Sequence, residues 1–277
     1  MHGGRRDIMA AVTRPVATRP ARAAASAAAR VTCRAATYSA AAASLPQAPY
    51  PLRARCWYQL HLVRTEAAAS RVPASLTLLS LFGWSLGGVF VAAWDESPLG
   101  PYAEVALMCG LAISRDGMFG AWPQPLLVTR REAVVAGREI FGHDPILADI
   151  DFINDGPADE LTFTCDADAR ARVQVPEALL PSPSPDTADM PDASRPGALS
   201  VPLPSLSGTV PRLRIYDLLV PLAFGTVRLA PKARVRVRGS AVGDAIALDA
   251  NELLAGPALF AFALGPCVVV ADSPRDV

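Results

Sequence analysis

Short apolar runs alternate with turn-forming clusters along most of the chain beyond residue 45. Residues 57–63 combine aromatic and branched side chains, which is typical of a strand. The apolar stretch 76–94 is interrupted by two glycine-containing breaks, and this pattern predicts two strands arranged as a hairpin. Two prolines and a glycine within 95–102 predict a turn, after which residues 103–113 return to strand character. Strands are therefore expected to dominate the first half.

Two short helices are predicted between these strands. Thr65 precedes an alanine-rich run, so we expect a helix that is capped by Thr65 and ends before Pro73. Thr129 and Glu132 have the spacing of a capping box, in which each side chain accepts a backbone N–H of the other residue. The helix that this box opens is expected to end at Gly137, because glycine readily adopts the conformation of a C-terminal cap.

The second half of the chain also predicts strands. Residues 181–196 are dense in Pro, Ser and Asp and are expected to form a flexible loop. Many strands and few short helices predict a mainly β (α+β) domain whose antiparallel sheet closes or curls strongly. Three segments alternate with the period of two that places every second side chain on one face of a strand: Leu161, Phe163 and Cys165; Leu199, Val201 and Leu203; Arg234, Arg236 and Arg238. The arginine face is interpreted as solvated, with anion binding as the alternative.

Charge divides the chain into two parts. Seven of the 26 basic residues, all arginines, and one of the 26 acidic residues lie within 1–45, which leaves 19 basic and 25 acidic residues for 46–277. Segment 1–45 is rich in alanine and lacks the continuous apolar core of a secretory signal, so its composition is that of an organelle import sequence. We interpret it as a plastid transit peptide, with a mitochondrial import sequence and a disordered tail as alternatives. The acidic remainder is not expected to bind nucleic acid.

Two stretches without charged residues, 72–94 and 253–271, are long enough to cross a bilayer. Glycines interrupt the first and prolines the second, and neither has a basic flank that would orient a membrane helix. We interpret both as buried strands, with a transmembrane segment as the alternative. The five cysteines are dispersed and neither His61 nor His143 has a ligand-spaced partner, so neither a metal site nor a redox dithiol is expected.

Two segments resemble the acetoacetate decarboxylase-like superfamily. Residues 94–104 read WDESPLGPYAE and resemble its D-x-S-P-x-G-x-Y-x-E strand-turn-strand, while 137–142, GREIFG, resembles its G-R-E element after a short helix. Residues 58–66 and 202–208 are similar to one branch, the plant and algal neoxanthin-deficient proteins. The motifs occur in order from about residue 55 onward. The resemblance implies a curled antiparallel barrel or cone over 46–277.

The resemblance also identifies a missing group. In the decarboxylases, a lysine a few residues after the G-R-E element forms a Schiff base with the keto acid, and an adjacent lysine helps to lower its pKa. The two lysine positions fall at about Pro145 and Ile146, and the only lysine of the chain is Lys232. A Schiff-base decarboxylase is therefore not expected unless Lys232 reaches the pocket. One pocket carboxylate of the family falls within the apolar stretch 89–91, and the other matches Glu104.

The matched positions define a candidate ligand pocket. Glu104 and Arg138 are its catalytic candidates, the first as general acid or base and the second as the residue that orients the substrate. A buried ion pair between these two residues is the structural alternative. His143 could act as an acid or base near neutral pH, but a Gly-His-Asp-Pro turn favours a surface position. The complete predicted pocket comprises Phe90, Trp94, Tyr102, Glu104, Trp122, Arg138 and Glu139.

An apolar lining with one polar end suits an elongated apolar ligand. Through the resemblance, we interpret the chain as a chloroplast protein required for the conversion of violaxanthin to neoxanthin, acting as an accessory or ligand-handling factor without a cofactor. A xanthophyll or lipid-like ligand and a membrane-bound neoxanthin-forming enzyme are the expected partners, and a homo-oligomer is compatible with the sequence. One alternative is a lyase, hydratase or isomerase that uses Glu104. The other is a structural partner of a membrane-bound synthase, with a vestigial pocket.

Overall fold

Strands account for most of the secondary structure. The computed structural model describes residues 45–165, 171–183, 189–209, 212–238 and 245–277. Its strands are β1 (Tyr50–Arg64), β2 (Leu76–Leu78), β3 (Trp84–Glu96), β4 (Tyr102–Ser114), β5 (Phe119–Val128), β6 (Ile146–Leu147), β7 (Asp149–Ile153), β8 (Glu160–Cys165), β9 (Ala171–Pro176), β10 (Ser200–Thr209), β11 (Arg212–Pro221), β12 (Val227–Ala230), β13 (Arg234–Arg238), β14 (Ala258–Ala271) and β15 (Arg275–Asp276). The predicted mainly β fold is confirmed.

The helices are short. They are α1 (Thr65–Ala68), α2 (Arg131–Ala136) and α3 (Ala245–Leu253). A 3₁₀ turn (Ala69–Arg71) extends α1, a π-helical turn (Gly137–Phe141) extends α2, and a second 3₁₀ turn (Glu177–Leu179) follows β9.

Seven strands close into a barrel in the order β14-β1-β3-β4-β5-β10-β11, and β11 pairs with β14 to complete the ring. All neighbouring pairs are antiparallel except β5 and β10, which run parallel. One end of the barrel therefore collects the start of β1, β4 and β11 and the end of β3, β5, β10 and β14. We call this end, from which α2 follows, the helix end, and the opposite end the open end.

A second layer covers part of the outer surface of the barrel. It is the four-stranded sheet β13-β8-β9-β7, together with α3. Trp57 of β1 and Leu107 of β4 are buried in one apolar cluster with Leu161 and Phe163 of β8, so the outer faces of these barrel strands form the main core with the second layer. A second cluster lies at the helix end and includes Tyr50, Leu52, Trp94 and Phe141.

Three local predictions are wrong. Strand β2 pairs with β4 rather than with β3, so the expected hairpin is not formed. The hydroxyl of Thr65 donates to the carbonyl of Gly83 at 3.1 Å, and Arg64 occupies the N-cap without a side-chain bond. The hydroxyl of Thr129 accepts the backbone N–H of Ala103 at 2.9 Å, so it does not cap α2. In both helices, the threonine hydroxyl that was predicted to cap the helix instead forms a hydrogen bond with the backbone of a residue distant in sequence.

The two uncharged runs contain strands. Stretch 72–94 includes β2 and most of β3, and stretch 253–271 includes β14. None of the helices in the described ranges is long and apolar enough to cross a membrane. The predicted transit peptide falls outside the described residues except for Leu45, and it remains a prediction. Residues 184–188 of the predicted loop 181–196 lie outside the described residues. In the part that follows, Met190 is buried and two backbone hydrogen bonds join residues 191–193 to Val268 of β14.

The predicted arginine face of β13 is engaged in ion pairs. Arg236 and Arg238 both pair with the buried carboxylate of Glu160, at 2.8 and 3.1 Å. Arg234 pairs with Asp159 at 3.1 Å. Because β13 runs parallel to β8 in register, these contacts hold the edge of the second sheet together.

Candidate functional site

The barrel encloses a cavity of about 380 Å³. Its wall is almost wholly apolar, and among the described residues that line it Glu104 is the only carboxylate. These lining residues include no arginine or lysine. The volume lies within the range of small-molecule pockets, near its lower end of about 300 Å³.

Alternation along the strands produces this lining. On β1, the side chains at even positions from Tyr50 to Leu60 point inward, and all of them except Ala54 line the cavity. Odd-numbered residues such as Trp57 face the second layer. The inward set changes from even to odd on β4 between Met108 and Leu111, where the pairing with β5 is irregular. These irregularities are β-bulges, which reverse the face that a residue presents.

The π-helical turn forms the wall at the helix end. It continues α2 through Arg138 and Glu139, and the left-handed residue that ends it is Gly142, at φ +78°, rather than the predicted Gly137. A Cβ atom at Gly137 would collide with the ring of Pro145. The glycine of the G-R-E element therefore allows the segment after the turn to pack closely on the helix, which brings both His143 and Pro145 into the cavity wall.

Glu104 is a carboxyl group in a largely apolar environment. Burial raises the pKa of its carboxyl to about 7, although the hydrogen bond from Trp94 Nε1 to Glu104 Oε2, at 3.2 Å, acts in the opposite direction. The side chain of Glu104 is partly exposed, and its exposed part faces the cavity. A carboxyl group with a pKa near neutrality can give or take a proton under ordinary conditions.

Aromatic hydroxyls and one imidazole line the same cavity as this carboxyl. Burial raises the pKa of Tyr102 and of Tyr216, and the negative charge of Glu104 adds to both shifts. His143 Nε2 lies 3.0 Å from the hydroxyl of Tyr216, and burial lowers the pKa of this histidine to about 4. At neutral pH the tyrosines and His143 are therefore uncharged. Glu104 alone among these groups changes charge near pH 7.

The structure distributes the predicted pocket residues over two locations. Phe90, Trp94, Tyr102 and Glu104 line the cavity on adjacent strands β3 and β4. Trp122 faces outward from β5, where its indole N–H donates to the carbonyl of Arg71 at 2.8 Å.

The other two predicted pocket residues lie on the π-helical turn outside the cavity lining. Arg138 forms an ion pair with Asp144 at 2.8 Å, and Glu139 is exposed. The turn directs these two side chains outward because its glycine and Phe141 occupy the inner side.

Several cavity residues were not predicted. His143 was expected at the surface, but it lines the cavity because Pro145 packs against Gly137. Tyr50 and Tyr58 on β1 were also missed. Their even spacing with Leu52 and Leu60 is the signal that could have identified them. Tyr216 belongs to β11 and has no comparable local signal.

No side-chain amine faces the cavity. Lys232, the only lysine of the chain, is exposed and lies 3.4 Å from the carbonyl of Ala258. Pro145 occupies the cavity wall at one of the positions where the resemblance implies a catalytic lysine, and Ile146 at the other is 38% exposed. Among the described residues, no group of three or more His, Cys, Asp or Glu side chains could hold a metal ion.

Comparisons with known proteins agree with this architecture. The family model of acetoacetate decarboxylase matches residues 34–230. The chain is similar in structure to acetoacetate decarboxylase from Legionella pneumophila, with a TM-score of 0.50 and 12% sequence identity. The aligned region covers 84% of this chain and 88% of the crystal structure's chain. This likeness shows the fold alone.

Three curated relatives share the name Protein NEOXANTHIN-DEFICIENT 1. The protein of Oryza sativa subsp. japonica is 38% identical over 94 residues, which are 34% of this chain and 31% of the relative. The protein of Solanum lycopersicum is 36% identical over 94 residues, 34% of this chain and 32% of the relative. The match thus spans about a third of these relatives. Since the family model matches well over half of the sequence, the chain belongs to the acetoacetate decarboxylase family.

Proposed function

We propose that this protein takes part in neoxanthin formation in the chloroplast by holding an apolar end of a xanthophyll in the barrel cavity. The observation that carries the proposal is the cavity itself, which is apolar over nearly its whole wall and has one protonatable carboxyl near the helix end. The names of the rice and tomato relatives supply the pathway. The predicted transit peptide supports the compartment.

The lining favours ligand handling over Schiff-base chemistry. A Schiff base requires a neutral amine that attacks a carbonyl carbon, and the cavity contains none. The small carboxylate substrates of such chemistry are also unsuited to a wall without a cationic side chain. An apolar ligand with a hydroxyl or epoxide oxygen at its end would find the carboxyl of Glu104 and the hydroxyls of Tyr102 and Tyr216 as hydrogen-bonding groups.

Filling the cavity is expected to reduce ligand retention strongly. Ala121 lines the cavity and is not fully buried, so the ring of an Ala121→Phe variant can extend into the free volume. The full chain would be incubated with a plastid pigment extract and repurified, and the bound pigments would be identified by chromatography. We expect the wild type to retain violaxanthin or neoxanthin and Ala121→Phe to retain at least about tenfold less. The phenylalanine ring takes the space in which the pigment would bury apolar surface, and loss of that burial lowers the affinity.

Ala74→Phe is the matched control for this experiment, because Ala74 is exposed outside the lining. This variant should retain pigment as the wild type does. A wild-type protein that emerges empty from every extract would contradict the proposal, and so would equal retention by the filled variant.

The pKa of Glu104 favours a second candidate function, a lyase, hydratase or isomerase with Glu104 as general acid or base. For this function Glu104→Gln should still retain the ligand but convert less than about 1% of the amount that the wild type converts, since acid–base catalysis contributes about 10²–10⁴-fold. Conversion by the wild type should also change around pH 7. If the wild type retains the ligand but converts none of it at any pH, the enzymatic function is contradicted and the ligand-handling function remains.

A further inference from the structure

Exposed apolar side chains are concentrated at one end of the barrel. Sixteen large apolar side chains of the described residues are exposed, and only Ile146 lies outside the open end and the strand β12 beside it. The remaining fifteen come from the ends and starts of strands that meet there. They lie in segments 79–86, 118–119, 199–203, 222–229 and 259–260, which we call the apolar rim.

The apolar rim is the mouth of the cavity. Leu86, Phe119 and Leu203 line the cavity and are also 37%, 54% and 43% exposed. On β12, Leu229 pairs with Phe262, whose side chain forms part of the cavity wall. Residues paired across two strands present their side chains on the same face, so the exposed apolar face of β12 continues the inner wall. Cavity and rim therefore form one apolar surface that opens outward.

Phe82 shows that the rim is not explained by folding. It is 93% exposed and has φ +52°, a left-handed conformation that is unusual for a bulky residue. Its ring buries almost no apolar surface in the protein that would offset the cost of this backbone conformation. Backbone strain of this kind persists where it serves a function. Phe224, at the tip that follows β11, is likewise fully exposed.

Cationic side chains are interleaved with the apolar rim. Arg228 lies between Val227 and Leu229, and Arg115 and Lys232 are exposed nearby. The guanidinium of Arg64 stacks 4.4 Å above the centre of the Trp84 ring. Among the described residues, the acidic ones at this end are Asp116 and Glu66, both exposed, together with Asp249 and Glu252, which pair with Arg71. With Arg71 counted, five basic and four acidic side chains give this end a cationic excess of one, whereas residues 46–277 as a whole have an acidic excess.

We propose that the apolar rim docks onto a lipid bilayer with anionic headgroups, so that the mouth of the cavity faces the acyl chains. Phe82, Phe224 and Leu229 enter the interface, and Arg64, Arg115 and Arg228 contact lipid phosphates. Trp84 and Arg64 lie at the depth where aromatic and basic side chains are favoured. Only the identity of the molecule that passes through the mouth rests on the proposed function. The docking proposal itself rests on the exposed apolar and basic side chains of the rim.

Fluorescence quenching by lipid tests docking without any pigment. Trp57, Trp94 and Trp122 are at most 6% exposed, and Trp84 is the partly exposed tryptophan at the rim. The full chain would be mixed with phosphatidylcholine–phosphatidylglycerol vesicles whose acyl chains are brominated near the headgroup. We expect quenching that disappears in Trp84→Phe. The arginines of segment 1–45 can attract vesicles by themselves, but such binding would not bring Trp84 to the acyl chains.

Paired variants identify the surface. Phe82→Ser combined with Leu229→Ser should raise the lipid concentration needed to quench Trp84 at least about tenfold, because two large side chains lose apolar burial. Ile146→Ser removes an exposed apolar side chain away from the rim, and its Trp84 should be quenched as in the wild type. Unquenched Trp84 in the wild type, or equal quenching in the double variant, would overturn the proposal. So would a dimer in solution that the double variant dissociates while vesicles remain unbound, since the rim would then join two copies of the chain.

An empty pigment assay together with quenched Trp84 would contradict the proposed function and leave docking intact. Pigment retention together with unquenched Trp84 would contradict docking and leave the proposed function intact. The two proposals can therefore fail separately.

Discussion

Glu104→Gln is expected to stabilise the protein by about 3 kcal/mol at pH 8 and by almost nothing at pH 4. Burial raises the pKa of Glu104 in the folded protein to about 7, whereas the ordinary value is 4.5. Each unit of difference corresponds to about 1.4 kcal/mol. Glutamine has the same shape, carries no charge at any pH and can still accept the hydrogen bond of Trp94.

The direction of this effect follows from proton binding. Between pH 4.5 and 7 the folded state keeps the proton of Glu104 while the unfolded state loses it, so the free energy of unfolding of the wild type falls as the pH rises. Below pH 4.5 both states are protonated and no penalty remains. Above pH 7 both states are ionised and the full penalty is present. His143 also titrates in this range, but it is the same in both proteins and cancels in their difference.

Urea unfolding of both proteins at a series of pH values would measure the difference. Glu139→Gln serves as the control, because this glutamate is exposed on the neighbouring turn and its replacement should change stability by less than about 0.5 kcal/mol at every pH. A difference between Glu104→Gln and wild type that does not change from pH 4 to pH 8 would mean that Glu104 is not held in the apolar environment of the cavity wall.

A carboxylate that lowers the stability of its own fold at neutral pH calls for a functional reason. Replacing it by a neutral residue is a simple route to a more stable protein, and functional sites commonly retain such costs. Glu104 lines the cavity together with Tyr102 and Tyr216. Its cost supports both candidate functions, since either needs one polar group within an apolar wall.

The four predicted pocket residues that line the cavity lie on regular strands. Phe90, Trp94, Tyr102 and Glu104 follow the period of two on β3 and β4, and the turn between these strands has its own sequence signature. Such positions can be assigned to one face from the sequence. The overall class of fold is likewise contained in the density of strands and turns.

Trp122 shows why the rest could not be predicted. Trp122 and Leu126 are both even-numbered residues of β5, yet only Leu126 lines the cavity. The pairing of β5 with β4 shifts between Met108 and Ala106, which reverses the inward face. A β-bulge of this kind has no reliable signature in a single sequence, because it depends on the register of the partner strand. The helix cap at Thr129 failed for a related reason, since its hydroxyl found a partner on another strand.

Arg55→Ala is expected to lower the free energy of unfolding by about 3 kcal/mol. The guanidinium of Arg55 is buried and forms two hydrogen bonds with Asp95, at 2.8 and 3.0 Å, and one with Glu177, at 2.7 Å. Removing one partner of a buried ion pair costs about 3–5 kcal/mol because the other charges lose their compensation. Both carboxylates are about 30% exposed and can be partly hydrated, so we expect the lower end of this range.

Arg234→Ala is the matched control, because Arg234 and its partner Asp159 are 75% and 47% exposed and such pairs contribute about 0–1 kcal/mol. Chemical denaturation of the three proteins at pH 7 would compare the two losses. Similar small losses in both variants would mean that the carboxylates of Asp95 and Glu177 are hydrated without Arg55. A large loss confined to Arg55→Ala would mean that this side chain fastens β1 to the segment after β9.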